Sequence, residues 1–107
     1  DWSKDAAYME RFVRAMTPWP GAWTTLAATG GKARLRVRVA QAAVLNGAQA
    51  ATGAAGEWTV RDGALLCACG GGTLRILALQ PEGKKEMPVA AFLNGAGRAF
   101  AAGGRAE

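Results

Sequence analysis

From Lys32 to Ala40 basic and apolar residues alternate without a break, so Leu35, Val37 and Val39 fall on one side of an extended chain and Arg34, Arg36 and Arg38 on the other. This predicts a strand with one buried face and one face in water or on a partner. Upstream the period is helical. Ala6, Met9, Val13 and Met16 form one stripe over Ser3 to Met16, Phe12 widens it, and Lys4, Arg11 and Arg14 point elsewhere, with Ser3 placed to cap the first turn. Pro18, Pro20 and Gly21 end the helix. Ala22 to Leu26 reads as a short strand closed by a Gly30-Gly31 turn, and Gln41 to Gly56, rich in Ala and Gly and without a firm period, as a loop with at most a frayed turn of helix.

Three further strands are predicted at Glu57 to Arg61, Leu65 to Cys69 and Thr73 to Leu79, joined as an antiparallel meander by Asp62-Gly63 and Gly70-Gly71-Gly72. The last carries Leu74, Ile76, Leu77 and Leu79, apolar on both faces, as in a strand inside a barrel or beneath a helix. Gln80-Pro81-Glu82-Gly83 fits a type I turn, Pro88 suits the first turn of a short helix ending near Asn94-Gly95, and the tail after Gly97 is expected to be mobile. The predicted fold is mainly β: a small, partly open, OB-like barrel of about five antiparallel strands, with an N-terminal helix and a short C-terminal helix. Residues 1–16 form the helix packed on the barrel and 17–107 the barrel itself, within one domain.

Composition supports a folded chain. Half of the 107 residues are hydrophobic and a fifth charged. No apolar run approaches bilayer length and the first residues are polar, so a soluble, unexported, cytoplasmic protein with no membrane partner is expected. Because it opens on Asp1, the chain is expected to be a piece of something longer. Cys67 and Cys69, at i and i+2 in an apolar run, share a strand face, are poorly placed to bond each other and are too few for a structural zinc site; buried free thiols are expected. Thirteen Lys and Arg against eight Asp and Glu give a formal charge of +5, which favours anionic partners such as RNA.

Chemistry is sparse. The sequence has no histidine and one serine, Ser3, so neither a His-based acid–base pair nor a Ser–His nucleophile can be assembled from it. The triple glycine lacks the Lys-Ser/Thr and following helix of a phosphate loop and reads as a turn. The candidate sites are therefore basic. Arg34, Arg36 and Arg38 could neutralise phosphates, and on the pattern alone protection of an edge strand explains them better. Lys84 and Lys85 project together from a turn, where an RNA backbone could sit between them. Arg75, like Arg61 and Arg98, lies beside a turn where an exposed charge needs no special explanation. Arg11 and Arg14 could face RNA or another domain. Trp19, Trp23 and Trp58 suit core or interface packing better than base stacking.

Three blocks in order carry a resemblance: Asp1-Trp2-Ser3 with its helix, Arg14 through Thr24 (RAMTPWPGAWT), and Leu74 through Gly95 (LRILALQPEGKKEMPVAAFLNG). The chain resembles the C-terminal domain of methionyl-tRNA formyltransferases, whose pattern in the second block is Arg-Ala-x-Asn-Pro-Trp-Pro-Gly-Ala-Trp. Thr17 stands where that family often has Asn, Gly71 where it usually has an acidic residue, and Pro88 where Ser or Thr commonly caps the last helix. The resemblance implies a monomeric tRNA-contacting barrel that helps position initiator methionyl-tRNA for N-formylation. Catalysis with 10-formyltetrahydrofolate would belong to an N-terminal domain, this domain's other partner, and no cofactor is expected here. It also implies RNA contact at Lys84, Lys85, Arg34, Arg36, Arg38 and Arg75. Two alternatives stay open: the C-terminal domain of a sugar-nucleotide formyltransferase, and a purely structural domain without RNA contact.

Overall fold

The structure, a computed structural model, describes residues 2–16, 21–28, 34–45, 54–61, 63–95, 100 and 103–106. The Pro18-Trp19-Pro20 connection, the Gly30-Gly31 turn, Lys32, Asp62 and Arg98 lie outside them. Helix α1 (Ala6–Met16) is followed by strands β1 (Ala22–Ala28), β2 (Arg34–Leu45), β3 (Glu57–Arg61), β4 (Ala64–Ala68), β5 (Thr73–Pro81) and β6 (Met87–Pro88), helix α2 (Val89–Asn94) and strand β7 (Gly104–Ala106). The sheet runs β2-β1-β7-β3-β4-β5-β6, and β2 also pairs with β5. Six antiparallel strands thus close into a barrel, with β6 added outside the ring. Closure gives each of those six strands a paired neighbour on both sides along at least part of its length.

The stripe anticipated on α1 is buried at Ala6, Met9 and Val13. Its cap is Asp5, not Ser3: the Asp5 carboxylate accepts from the Tyr8 amide at 2.7 Å, satisfying one of the first-turn donors. The triple glycine does more than turn β4 into β5. Gly70 N donates to the Trp2 and Lys4 carbonyls, each at 2.9 Å, and Ala6 N donates to Gly71 O at 2.7 Å. A Cβ at Gly70 would overlap the Ser3 carbonyl, so only glycine lets the chain approach this closely. Trp2 is buried beside this contact and donates from Nε1 to Thr24 Oγ1 at 3.3 Å, tying the segment before α1 to β1.

The β2–β5 pairing explains two features that the sequence pattern misses. Val39 faces Leu79, Gln41 faces Ala78 and Ala42 faces Ile76, so Ala40 on β2 and Leu77 on β5 are each an extra residue. Each bulge reverses which residues face inward. On β2 the core side passes from Val37 and Val39 to Ala42 and Val44, and on β5 from Leu74 and Ile76 to Leu79 and Pro81. Leu77, at the switch, is 39 % exposed. The two-faced apolar pattern of β5 therefore records a change of side rather than burial on both faces. The stretch after Ala40, expected as a loop, begins instead with five more residues of β2, through Leu45.

The tail also departs from expectation. Its residues Gly104 to Ala106 form β7, inserted between Leu26–Ala28 of β1 and Glu57–Trp58 of β3, where they complete the ring. Phe100 is buried against Trp58 and Phe92, with ring centroids at 5.9 and 6.3 Å. These rings join α2 and the tail to the core formed by Leu26, Val37, Leu65, Leu74 and Leu79. Cys67 and Cys69 are buried and unbonded to each other, as anticipated. Burial raises both thiols above their ordinary range, so neither is a ready nucleophile.

Replacing Gly70 by Ala separates the need for space from the need for unusual backbone angles. Gly70→Ala should lower unfolding stability by about 2 kcal/mol or more, because the Ser3 backbone must move. Gly63→Ala, at a position with φ +77° and nothing within 4 Å, should lower it by about 1 kcal/mol. Urea unfolding of both variants tests this; equal losses would contradict the close-approach argument.

Candidate nucleic-acid interface

On β2, Arg34, Arg36 and Arg38 face outward, and their cross-strand partners on β1 are Ala27, Thr25 and Trp23. On the other flank, Val37 pairs with Pro81 and Arg38 with Gln80, so the turn from β5 to β6 lies directly beside the arginine row. That turn spans Pro81 to Lys84, with Lys84 N donating to Pro81 O at 2.9 Å. Gly83 sits at its third position with φ +82°. A type I turn has negative φ there, so the turn lies one residue later than expected and has type II character. Lys84 and Lys85 are exposed on this turn, next to the β2 row.

The arginines are not a bare positive stripe. The Arg36 guanidinium lies over the Trp23 ring, 4.3 Å from its centroid, and donates from Nη1 to Glu82 Oε2 at 3.1 Å. Arg38 donates from Nε to Gln80 Oε1 at 2.9 Å and from Nη2 to Glu86 Oε1 at 3.0 Å. Gln80 in turn donates from Nε2 to the Lys84 carbonyl at 2.8 Å. Three side-chain links thus join the 80–86 segment to β2, and a fourth braces it internally. They hold the turn that carries the two lysines beside β2.

Arg36 and Arg38 nevertheless play different parts. The Arg36 side chain is 50 % exposed and its partner Glu82 60 %. The Arg38 side chain is 11 % exposed, and its Nη1 is buried without a hydrogen-bond partner. Its stem runs over Gly21: a Cβ there would lie 2.5 Å from Arg38 Cδ. Gly21, the last glycine of the Pro-Trp-Pro-Gly block, thereby gives this arginine room, and it also adopts φ +96°. Arg38 is a packed strut whose guanidinium is spent on Gln80 and Glu86. Arg36 keeps an accessible cation.

The remaining candidates separate. Arg75 is exposed on β5 opposite Ala43 of β2 and Leu66 of β4. Five residues from Gln80, it lies roughly 16 Å along the strand from the cluster. The fold does not bring it together with Lys84 and Lys85. Arg61 is exposed at the end of β3, and Arg11 and Arg14 on α1, where Arg14 pairs with Glu10 at 2.7 Å. Trp58 is core; Trp23 is 36 % exposed beneath Arg36. One basic residue escaped the sequence reading. Arg105 of β7 is exposed and shares its β1 partner, Ala27, with Arg34, so the two lie in one row across three strands, roughly 10 Å apart. Only the placement of β7 reveals it.

The two arginines should respond differently to truncation. Arg38→Ala should cost about 1–2 kcal/mol of unfolding stability through lost packing and two lost hydrogen bonds, whereas Arg36→Ala should cost no more than about 1 kcal/mol, as for exposed pairs generally. Urea unfolding distinguishes them, and an equal or reversed order would contradict the assignment of Arg38 as the strut.

The family described as "Formyl transferase, C-terminal domain" matches residues 1–97. Among similar proteins, methionyl-tRNA formyltransferase of Myxococcus xanthus is 50 % identical over 95 residues, 89 % of this chain and 28 % of that protein. The proteins of the same name from Caulobacter vibrioides and Gluconacetobacter diazotrophicus are 39 % and 40 % identical over the same shares. The chain thus spans about 28 % of the length of these relatives. With a closed antiparallel barrel bearing a helix before its first strand and a short helix before its last, and a family match over nearly its whole length, the chain belongs to the formyl transferase C-terminal domain family.

Proposed function

We propose that this domain is the tRNA-contacting part of a methionyl-tRNA formyltransferase, acting by backbone charge and shape to hold initiator methionyl-tRNA while the catalytic domain transfers the formyl group. The observation that carries the reading is the meeting of Lys84, Lys85 and Arg36 on one outer face, placed there by two separate stretches of chain. Ammonium and guanidinium groups suit phosphate oxygens, which give affinity and register without reading sequence. The relatives named above carry the methionyl-tRNA name, which supports this reading over a sugar-nucleotide one.

The chain's share of the reaction is then positioning. With no histidine in its sequence and both thiols buried, it has neither an imidazole nor an accessible thiol for acid–base or nucleophilic work, and the folate co-substrate is assigned to the catalytic domain. Arg36, Lys84 and Lys85 are the contact residues in this reading, with Arg34 and Arg105 extending the same outer surface along β2 and across β1. Arg38 supports them from below. Arg75, set apart on β5, is left out of the contact.

Binding of the 107-residue chain to tRNA, measured by filter retention across a salt series, should be weak and should fall linearly with the logarithm of salt concentration as counterions are released. Reversing Lys84 and Lys85 to Glu should weaken it by on the order of tenfold and make the slope shallower by roughly two. No binding at low salt, or binding insensitive to salt, would overturn the proposal.

A further inference from the structure

We infer that Glu82 is a built-in competitor for RNA phosphate at Arg36, so that anion contact at this point proceeds by exchange of one oxyanion for another. The inference rests on the RNA-contact reading above and specifies how one accessible arginine of that surface is regulated. In the free domain the Arg36 guanidinium is engaged twice: Trp23 holds its face at 4.3 Å and Glu82 takes a donor on its edge at 3.1 Å. A phosphate oxygen makes the same charge-assisted contact as a carboxylate oxygen, so it can replace Glu82 without disturbing the stack on Trp23. Both members of the pair are at least half exposed, which makes the ion pair weak and its exchange easy.

The neighbouring pair is built for the opposite purpose. Arg38 is mostly buried, holds Gln80 as well as Glu86, and stays engaged. The Glu82 side chain is exposed on the turn, so it can swing out while the Gln80 bond to the Lys84 carbonyl keeps the turn in place. Arg36 is then ready as a flat, oriented cation only for a partner that displaces the carboxylate. Small or diffuse anions gain little there, and a phosphate already steered by Lys84 and Lys85 gains most.

Substituting Glu82→Gln keeps the shape of the side chain and removes its charge. The variant should bind tRNA about three- to fivefold more tightly than the parent chain, with a salt slope steeper by roughly one, because the Arg36 contact now releases a counterion instead of a carboxylate. The same substitution placed in an Arg36→Gln background should change affinity by less than about twofold. Persistence of the full gain without Arg36 would mean that Glu82 acts only through general repulsion, and an unchanged affinity in the single variant would likewise overturn exchange. Failure of the parent chain to bind tRNA at low salt overturns the RNA-contact reading and this inference together, whereas parental binding with no response to Glu82→Gln removes this inference alone. Unchanged urea midpoints for both substitutions establish that affinity, not folding, is being read.

Discussion

The antiparallel pairing of β2 with β5 is the constraint on which the rest of the molecule depends. It closes the barrel by joining strands that are separated in sequence by β3 and β4, and it is the most extensive strand contact in the structure. Long-range pairing of this kind must offset a large loop-closure entropy, so it holds only where both strands supply a continuous apolar side. The two bulges make that possible. By turning Ala42 and Val44 inward after Val39, and Leu79 and Pro81 after Ile76, they keep the core continuous along strands whose sequence alternation has changed phase. The same pairing lays the β5–β6 turn beside Arg36 and Arg38. The fold's closure and its basic face are one event.

How far the sequence discloses this can be judged residue by residue. The first half of β2 was legible because alternation of arginine with valine and leucine is a period-two signal over several residues. Its second half was not, since the extra residue at Ala40 breaks the period and the small side chains after it carry little hydrophobic contrast. The glycine turns at Gly63 and Gly70 to Gly72 are legible because their backbone freedom is local chemistry, whereas the turn at Gly83 falls one residue later than the Pro-to-Gly spacing suggests. What Gly70 touches was invisible, because the Ser3 carbonyl comes from a distant part of the chain. Asp5 and Ser3 are both good caps, and only the docking of the segment onto Gly71 decides between them. β7 is too short to announce itself; it becomes a strand only by pairing with β1 on one side and β3 on the other.

The candidate site divides along the same line. The sequence offers Arg34, Arg36, Arg38, Arg75, Lys84 and Lys85 as candidates, with the lysine pair foremost and Arg75 weakest, and the fold sorts them by what lies beside them. Arg38 is committed to structure by Gln80, Glu86 and the open space over Gly21. Arg75 is isolated by distance along β5. Arg36 and the two lysines remain as accessible cations on one surface, joined by Arg34 and Arg105 along the same outer wall. The glutamates on either side of the lysine pair temper this surface, so that its net charge is lower than its count of basic residues suggests. A face balanced in this way favours a partner with closely spaced phosphates over any weakly anionic surface.

The central claim is that the surface made by β1, β2 and the β5–β6 turn is where RNA sits. Backbone amide shifts of the isotopically labelled chain during titration with tRNA test it most directly. The account predicts that the largest changes fall at Trp23 to Thr25, Arg34 to Arg38 and Gln80 to Met87, with α1, Arg61 and Arg75 little affected. Shifts centred on α1 or around Arg75, with the turn at Lys84 unmoved, would contradict it.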